Sequence, residues 1–299
     1  MIRIAVTGSK GQVATSLIER AGAKAEIVAL GRPAFDLANR AAVIAELEGA
    51  RPDVVVNAAA YTAVDRAETE PDRARLVNAE AVALLADAAQ RTGAWLIHYS
   101  TDYVFDGTNT RPYVETDAPA PLNVYGATKS RGDLAIGQSG CRHLIFRVGW
   151  VYADGASNFP RTMLRLARER DELRVVGDQV GAPTSARLIA DVTGRAVARL
   201  GTVAPAAVSG LYHLAASGAV SRADYARFLI AEARHRGMEL RLGPDGIADC
   251  ASADYPTPAT RPLNSRLDTA KLRATFGLDL PDWESDARRW VENAVEVGI

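Results

Sequence analysis

A regular alternation of short apolar segments with longer helical segments runs through the first half of the chain, and it restricts the fold more than any other feature. The pattern predicts strands at 2–7, 26–30, 53–57, 94–100 and 142–148, with helices at about 12–21, 39–48, 71–91 and 122–138. Strands made almost entirely of Val, Ile and Leu are buried on both faces, and a helix between consecutive strands makes them parallel. The sequence therefore predicts an α/β fold with helices on both faces of a parallel sheet.

The turn after the first predicted strand contains two glycines. Gly8 permits a tight turn, Gly11 lets the backbone approach a diphosphate closely, and the helix that follows offers free N–H groups to phosphate oxygens. Because this loop occupies the first strand-to-helix turn of an alternating pattern, it favours a dinucleotide site over a plain turn, which stays the alternative. The predicted domain is therefore Rossmann-like.

Small and polar residues follow the other predicted strands. Asn57 and the alanines at 58–60 follow the third strand, and Ser100 and Thr101 follow the fourth. Ligands bind outside the carboxyl ends of parallel strands, so these residues should surround one site. The small side chains at 58–60 would let a flat cofactor lie close to the backbone, or they simply fill a well-packed corner.

The clean alternation stops after residue 152. The remaining pattern predicts helices at 161–170, 184–200, 221–235 and 282–295, a late strand at 211–214, and a proline-rich stretch at 255–262. We assign 1–150 and 182–214 to an NAD(P)-binding Rossmann domain. Residues 151–181 and 215–299 are predicted to form a smaller, mixed substrate-binding lobe.

Charge and composition point to a small-molecule partner. The formal net charge is -1 and the pI is about 6.5, which excludes the basic surface that nucleic acid or an anionic membrane requires. The sequence has no run of 18 apolar residues, and Thr7-Gly8 interrupts the apolar start before it could act as a signal peptide. Two distant cysteines, Cys141 and Cys250, fit reduced thiols, so we expect a cytoplasmic protein.

Tyr125 and Lys129 are four residues apart in the helix predicted at 122–138. This spacing places the phenol and the ammonium on one face, one turn apart. A phenol has a pKa of about 10, and an adjacent cation lowers that pKa by stabilising the phenolate. We therefore predict a hydride-transfer site formed by this pair and Thr101. The alternative is an exposed aromatic residue and a solvated lysine.

Seven segments together form a pattern more specific than any one motif. They are 7–13 (TGSKGQV), 57–65 (NAAAYTAVD), 98–107 (HYSTDYVFDG), 121–129 (PLNVYGATK), 147–152 (RVGWVY), 178–184 (DQVGAPT) and 261–265 (RPLNS). The pattern resembles the extended short-chain dehydrogenase/reductase superfamily and, within it, the dTDP-4-dehydrorhamnose reductase family. The resemblance implies NAD(P)H-dependent reduction of the C4 ketone of dTDP-4-dehydro-L-rhamnose to give dTDP-L-rhamnose.

The resemblance also implies roles for particular residues. The catalytic residues would be Tyr125, Lys129 and Thr101, and the substrate would contact Thr101, Asp102, Trp150, Gln179 and Arg261. The cofactor would contact Gly8, Gly11, Gln12, Val13, Arg32, Asp36, Leu37, Ala59, Ala60, Tyr61, Tyr99, Tyr125 and Lys129. For Trp150 the alternative is a core position, and for Gln179 and Arg261 it is a structural contact.

Cofactor choice should depend on the end of the second strand. An NAD-selective site needs a carboxylate there, whereas this chain has Arg32, with Asp36 four residues later. We predict NADPH as the cofactor, with NADH also usable; the alternative is that Arg32 pairs with Asp36. Some members of the family bind Mg²⁺ at a dimer interface through a glutamate, but Ser16 occupies that position. A metal-bridged dimer is therefore in doubt, no metal ligand is assigned, and we expect a monomer or a weak homodimer.

Two other functions compete with this prediction. The first is another nucleotide-sugar reaction on the same scaffold, an epimerase or a dehydratase. Dehydratases of the superfamily carry Asp-Glu after the active-site Thr, whereas here Tyr103 follows Asp102, which argues against dehydration. The second is a non-catalytic NADP-binding regulatory subunit. An intact set of Thr101, Tyr125 and Lys129 argues against it, because a pure binding protein needs no proton donor.

Overall fold

The central feature of the molecule is a six-stranded sheet in which every neighbouring pair of strands is parallel. The computed structural model describes residues 1–22, 25–155 and 157–298. The strands are β1 (Ile2–Thr7), β2 (Ala25–Leu30), β3 (Val54–Asn57), β4 (Trp95–Thr101), β5 (His143–Val148), β6 (Val151–Tyr152), β7 (Leu173–Val176), β8 (Val180–Gly181), β9 (Thr184–Ser185), β10 (Gly210–His213), β11 (Val220–Ser221) and β12 (Ile247–Cys250). The central sheet has the order β10-β5-β4-β3-β1-β2. The order reverses beside β1, and open parallel sheets bind ligands outside the carboxyl ends of the strands at such a point.

Eleven α-helices are present in the described residues. They are α1 (Gln12–Arg20), α2 (Arg40–Ala50), α3 (Val64–Ala67), α4 (Pro71–Arg75), α5 (Ala81–Thr92), α6 (Val124–Gln138), α7 (Phe159–Glu169), α8 (Ala186–Leu200), α9 (Arg222–His235), α10 (Ala270–Phe276) and α11 (Trp283–Glu296). No helix in the described ranges is long and apolar enough to cross a membrane.

Alternate strand residues enter two different cores. Ile4 and Val6 of β1 belong to a cluster that contains residues of α1 and α8, whereas Ala5 belongs to a second cluster with residues of α2, α5 and α6. Side chains of a strand alternate between its two faces, so helices on both faces bury every residue of such a strand. The predicted Rossmann-like fold is confirmed.

The second half of the chain completes the sheet and adds small strand pairs. The late strand β10 lies beside β5, at the edge of the central sheet. The segment predicted as one helix at 184–200 begins with the short strand β9, and α8 follows it. Outside the central sheet, β7 pairs with β12 and β8 pairs with β11. The larger hydrophobic cluster continues from β1 to α11, so the two parts of the chain share one core.

The helix predicted at 71–91 is divided by a π-helical turn, Leu76–Glu80. Asn78 lies in this turn, where its side-chain amide accepts the N–H of Tyr61 at 2.8 Å and donates to the carbonyl of Tyr61 at 3.0 Å. A Cβ at Gly132 would collide with the carbonyl oxygen of Asn78, so α6 packs directly on the turn. These contacts come from distant parts of the chain, which is why local periodicity predicts an uninterrupted helix.

Candidate active site

The site is assembled where α6 packs on the turn that follows β4. Thr101 is the last residue of β4, and a 3-10 turn, Asp102–Val104, follows it. A Cβ at Gly126 would overlap the carbonyl oxygen of Tyr103, so a glycine is needed for the first turn of α6 to lie this close. Asn123 caps the helix by accepting the N–H of Gly126 at 2.8 Å.

Tyr125 is brought to Thr101 by this packing. Its phenol lies near the Thr101 hydroxyl, and its ring meets the ring of Tyr103 edge-on with centroids 5.9 Å apart. Burial raises the pKa of Tyr125 above its ordinary value, and the neighbouring Thr101 hydroxyl lowers it by less. The predicted lowering of this pKa is therefore wrong for the free protein, because desolvation of the phenolate is the largest effect. The phenol is a protonated donor at neutral pH.

Lys129 is buried beneath the same turn, with only 2% of its surface exposed. Its Nζ donates to the carbonyl of Tyr99 at 2.6 Å and lies 3.0 Å from Nε2 of His98. Burial lowers the pKa of Lys129 to about 8, while the nearby carboxylate of Asp133 opposes this shift. The ammonium is therefore held by β4, and it is close to losing its proton at mildly alkaline pH.

A chain of buried polar side chains continues from Lys129 across the ends of the strands. The hydroxyl of Thr7 donates to Oδ1 of Asn57 at 2.7 Å, and Nδ2 of Asn57 lies 2.9 Å from Nδ1 of His98. Burial lowers the pKa of His98 well below its ordinary value, and the charge of Lys129 lowers it further, so the imidazole is neutral. No role was predicted for Thr7 or His98. The sequence feature that could have identified them is a polar residue at or near the end of an apolar strand.

A buried ion pair links α6 to the central sheet. Nε of Arg147 lies 3.2 Å from Oδ2 of Asp133, and the hydroxyl of Ser100 donates to the same oxygen at 2.9 Å. The two charged side chains are only 5% and 6% exposed. This pair joins β5 to α6 one turn beyond Lys129.

The loop between β1 and α1 has the shape expected of a phosphate cradle. Gly8 has φ +77°, and a Cβ at this position would lie 2.9 Å from the Cα of Ala59. Gly11 precedes α1 without a side-chain cap, so the first N–H groups of the helix are free to bind phosphate. Within the described residues, the buried Oε1 of Gln12 has no hydrogen-bond partner. These features fit the diphosphate of a dinucleotide, and Val13 lies in the same first turn.

The end of β2 forms the adjoining part of this site. A Cβ at Gly31 would collide with the hydroxyl of Ser9, so the two loops touch. Arg32 is exposed beside them. Oδ1 of Asp36 accepts the N–H of Ala38 at 3.0 Å, and Leu37 is packed in the core. Ser9 was not predicted as a site residue, although its place in the glycine loop could have indicated one.

The phenols of two predicted cofactor residues have hydrogen-bond partners away from the glycine loop. The hydroxyl of Tyr61 donates to Glu70 at 2.9 Å, and that of Tyr99 lies 2.7 Å from Oγ1 of Thr193 in the core. Tyr99 therefore reaches the site through its backbone carbonyl, which holds Lys129. The half-buried Ala59 and Ala60 follow β3, and Ala59 lies against the glycine loop.

A cavity of ≈1620 Å³ lies beside the turn at Tyr103 and is lined mainly by the later part of the chain. The residues that line it include Tyr103, Gln179, Arg222 and Arg261. Next to it, Thr101 donates to Oδ1 of Asp102 at 2.9 Å. Within the described ranges, Oδ2 of Asp102 is buried without a hydrogen-bond partner. Burial raises the pKa of Asp102, against smaller effects of the Ser265 and Thr101 hydroxyls.

The other predicted substrate residues have structural partners. Nε2 of Gln179 donates to the hydroxyl of Ser252 at 3.0 Å. Arg261 makes a bidentate ion pair with Asp65 at 2.8 and 3.1 Å. Trp150 is half-buried and has φ +49°. The structure thus places Tyr125 near Thr101 and Asp102. Nζ of Lys129, on the same helix, contacts β4 instead. Gln179 and Arg261 line the adjoining cavity.

Across residues 1–22, 25–155 and 157–298, no cluster of three or more His, Cys, Asp or Glu side chains could hold a metal ion. Ser16 lies half-buried on α1.

The chain is similar to known proteins over nearly its whole length. Residues 2–296 match the family model of the RmlD substrate binding domain. The chain is 51% identical over 254 residues to dTDP-4-dehydrorhamnose reductase of Escherichia coli (strain K12), covering 85% of this chain and 84% of that relative. It is 47% identical over 292 residues to the Shigella flexneri protein of that name, covering 96% of each. A crystal structure of dTDP-4-dehydrorhamnose reductase from Bacillus anthracis str. Ames in complex with NADP superimposes with a TM-score of 0.86 and 31% identity, covering 97% of this chain and 98% of that one.

Proposed function

The chain belongs to the dTDP-4-dehydrorhamnose reductase family, and on that premise we propose that it reduces the C4 ketone of dTDP-4-dehydro-L-rhamnose to give dTDP-L-rhamnose. The observation that carries this proposal is the position of the Tyr125 phenol near the Thr101 hydroxyl, on the helix that also carries the buried Lys129. A protonated phenol next to a second hydroxyl suits a carbonyl that must be oriented and then protonated.

The nicotinamide cofactor, when bound, supplies the hydride. Thr101 orients the ketone through its hydroxyl, and Tyr125 donates its phenolic proton to the carbonyl oxygen as negative charge develops there. Lys129 stabilises the phenolate that remains and binds the ribose hydroxyls of the cofactor. The glycine loop at Gly8 and the first turn of α1 hold the diphosphate of the cofactor.

The direct test uses purified protein, NADPH and a panel of 4-keto-6-deoxy nucleotide sugars. We expect NADPH absorbance to fall with the dTDP-linked 4-keto sugar and the product to be dTDP-L-rhamnose. Conversion of a sugar without net NADPH consumption would instead indicate an epimerase. Cofactor binding without conversion of any sugar would indicate a regulatory subunit.

Cofactor preference is expected to depend on Arg32. Its exposed guanidinium at the end of β2 can pair with a 2'-phosphate, a charge-assisted contact worth about 1.5 to 3 kcal/mol. The kcat/KM with NADPH should therefore be roughly 10- to 150-fold higher than the kcat/KM with NADH. Because the site is exposed, we expect a ratio near the lower end of this range. Arg32→Ala should bring the two cofactors close to equality.

The matched control is Arg91→Ala, which removes an exposed arginine from the end of α5. This variant should keep the preference of the wild type. Equal kcat/KM values for the two cofactors in the wild type, or a ratio that Arg32→Ala leaves unchanged, would contradict the assignment.

The pH dependence of reduction is expected to reflect Lys129. Its pKa is lowered to about 8, so the side chain is charged below that pH and neutral above it. Since the proposed mechanism uses the charged form, kcat/KM should fall as the pH rises through about 8. Initial rates measured from about pH 6 to about pH 10 test this expectation. A profile that stays flat over that range would count against a role for the ammonium.

The remaining features of this function are also proposals. We propose that activity needs no added Mg²⁺, because Ser16 takes the place of the acidic ligand and a hydroxyl is a weaker ligand than a carboxylate. The proposed partners are the nucleotide sugar and NADPH, and the proposed assembly is a monomer or a weak homodimer. Two buried free cysteines, Cys141 and Cys250, support a location in the reducing cytoplasm.

A further inference from the structure

Arg222 is a cavity residue whose position is fixed by the pairing of two short strands. It directly follows β11, which pairs with β8 in antiparallel orientation. Its backbone N–H donates to the carbonyl of Gln179 at 3.1 Å, and Ser221 caps the helix α9 that Arg222 begins. Arg222 therefore lies beside Gln179 although 43 residues separate them in the sequence.

The guanidinium of Arg222 lies on aromatic rings. Its central carbon is 3.6 Å from the ring centroid of Trp150 and 5.2 Å from that of Phe159. Trp150 is itself held in place, because a Cβ at Gly181 would lie 2.6 Å from the indole. A guanidinium stacked in this way has its orientation restricted, and its N–H edge remains available for a ligand.

The charge of Arg222 is incompletely compensated. In the part of the chain that the structure describes, no carboxylate lies within 4.0 Å of its guanidinium. Burial lowers the pKa of Arg222, and the more distant Tyr103 and Asp102 raise it by less. By contrast, Asp65 already pairs with Arg261 through both of its oxygens. A partly desolvated cation without a counter-ion has free energy to gain from an anionic ligand.

We propose that Arg222 binds the diphosphate of the nucleotide sugar and so determines the affinity of this chain for nucleotide-linked over free sugars. This inference rests on the proposed function. The cavity is lined by Arg222 and by Tyr103, whose ring touches that of Tyr125, so it adjoins the proposed proton donor and can take the diphosphate of a sugar held there. Guanidinium and phosphate form bidentate, charge-assisted hydrogen bonds, and the diphosphate is the most strongly charged part of such a substrate.

The test compares Arg222→Gln with Arg174→Gln. Arg174 lines the same cavity but is exposed, so its replacement removes an equal charge without removing the stacked guanidinium. Titration calorimetry with dTDP should show that the dissociation constant rises by at least about tenfold in Arg222→Gln and by less than about threefold in Arg174→Gln. The affinity for NADPH should be unchanged in both, which reports an intact fold.

Turnover gives a second readout. With the 4-keto sugar nucleotide, Arg222→Gln should raise KM while kcat stays within a few-fold of wild type, since Arg222 contacts no reacting atom. An unchanged dTDP affinity, or an equal loss in Arg174→Gln, would overturn the proposal. If Arg222→Gln also loses affinity for NADPH, Arg222→Lys is tested instead. This variant keeps the charge and should lose part of the affinity for dTDP. A dTDP affinity equal to that of the wild type in Arg222→Lys would refute the bidentate contact. A wild-type protein that binds dTDP but reduces no sugar would refute the proposed function alone.

Discussion

Tyr125→Phe is expected to lower kcat by about 100- to 10,000-fold, the usual contribution of general acid catalysis. The change removes only the phenolic oxygen, which lies near the Thr101 hydroxyl, and it leaves the ring that packs against Tyr103. The affinity for NADPH should therefore change little. Single-turnover reduction, followed by the loss of NADPH absorbance, separates the chemical step from binding.

Tyr103→Phe is the matched control for this prediction. Its ring lies beside Tyr125 at a centroid distance of 5.9 Å, but the proposed mechanism gives its hydroxyl no proton to transfer. We expect its kcat to stay within about tenfold of wild type, below the usual range for a lost proton donor. A Tyr125→Phe enzyme as active as the wild type, or equal losses in the two variants, would remove Tyr125 as the proton donor.

Arg147→Met is expected to lower the free energy of unfolding by about 3–5 kcal/mol, the usual cost of leaving one buried charge without its partner. Asp133 would remain buried between β4 and α6 with only the hydroxyl of Ser100 as a donor. Urea unfolding followed by tryptophan fluorescence measures the loss. Because α6 also carries Lys129, activity should fall at temperatures where the wild type is still folded.

Two controls distinguish the effect of breaking a buried ion pair from the effect of removing any arginine. Arg165→Met breaks an ion pair with Glu169 whose side chains are 58% and 53% exposed, and it should cost no more than about 1 kcal/mol. The double variant Asp133→Asn, Arg147→Met removes both charges and should recover much of the loss. Equal costs for Arg147→Met and Arg165→Met would contradict the prediction.

Local patterns in the sequence determined the layers and the main elements of the site. The Val-rich segments predicted the central sheet because side chains alternate along a strand, and helices on both faces bury both sets. The helical spacing of Tyr125 and Lys129 predicted that they share a face, since this depends only on 3.6 residues per turn. The loop at Gly8 could be recognised because its positive φ of +77° is a local requirement for glycine. These features depend on neighbours in the chain.

Only the tertiary structure decided the pKa shifts of the site residues and the partners of Arg222 and Arg261. The pKa of Tyr125 rises rather than falls because packing removes water from the phenol. The spacing of Tyr125 and Lys129 in the sequence does not reveal how deeply the phenol is buried. The partner of Arg261 is Asp65, 196 residues away, whereas Arg222 reaches Trp150 through the pairing of β8 with β11. Sequence patterns report short-range periodicity, whereas desolvation and contacts between distant residues exist only once the chain has folded.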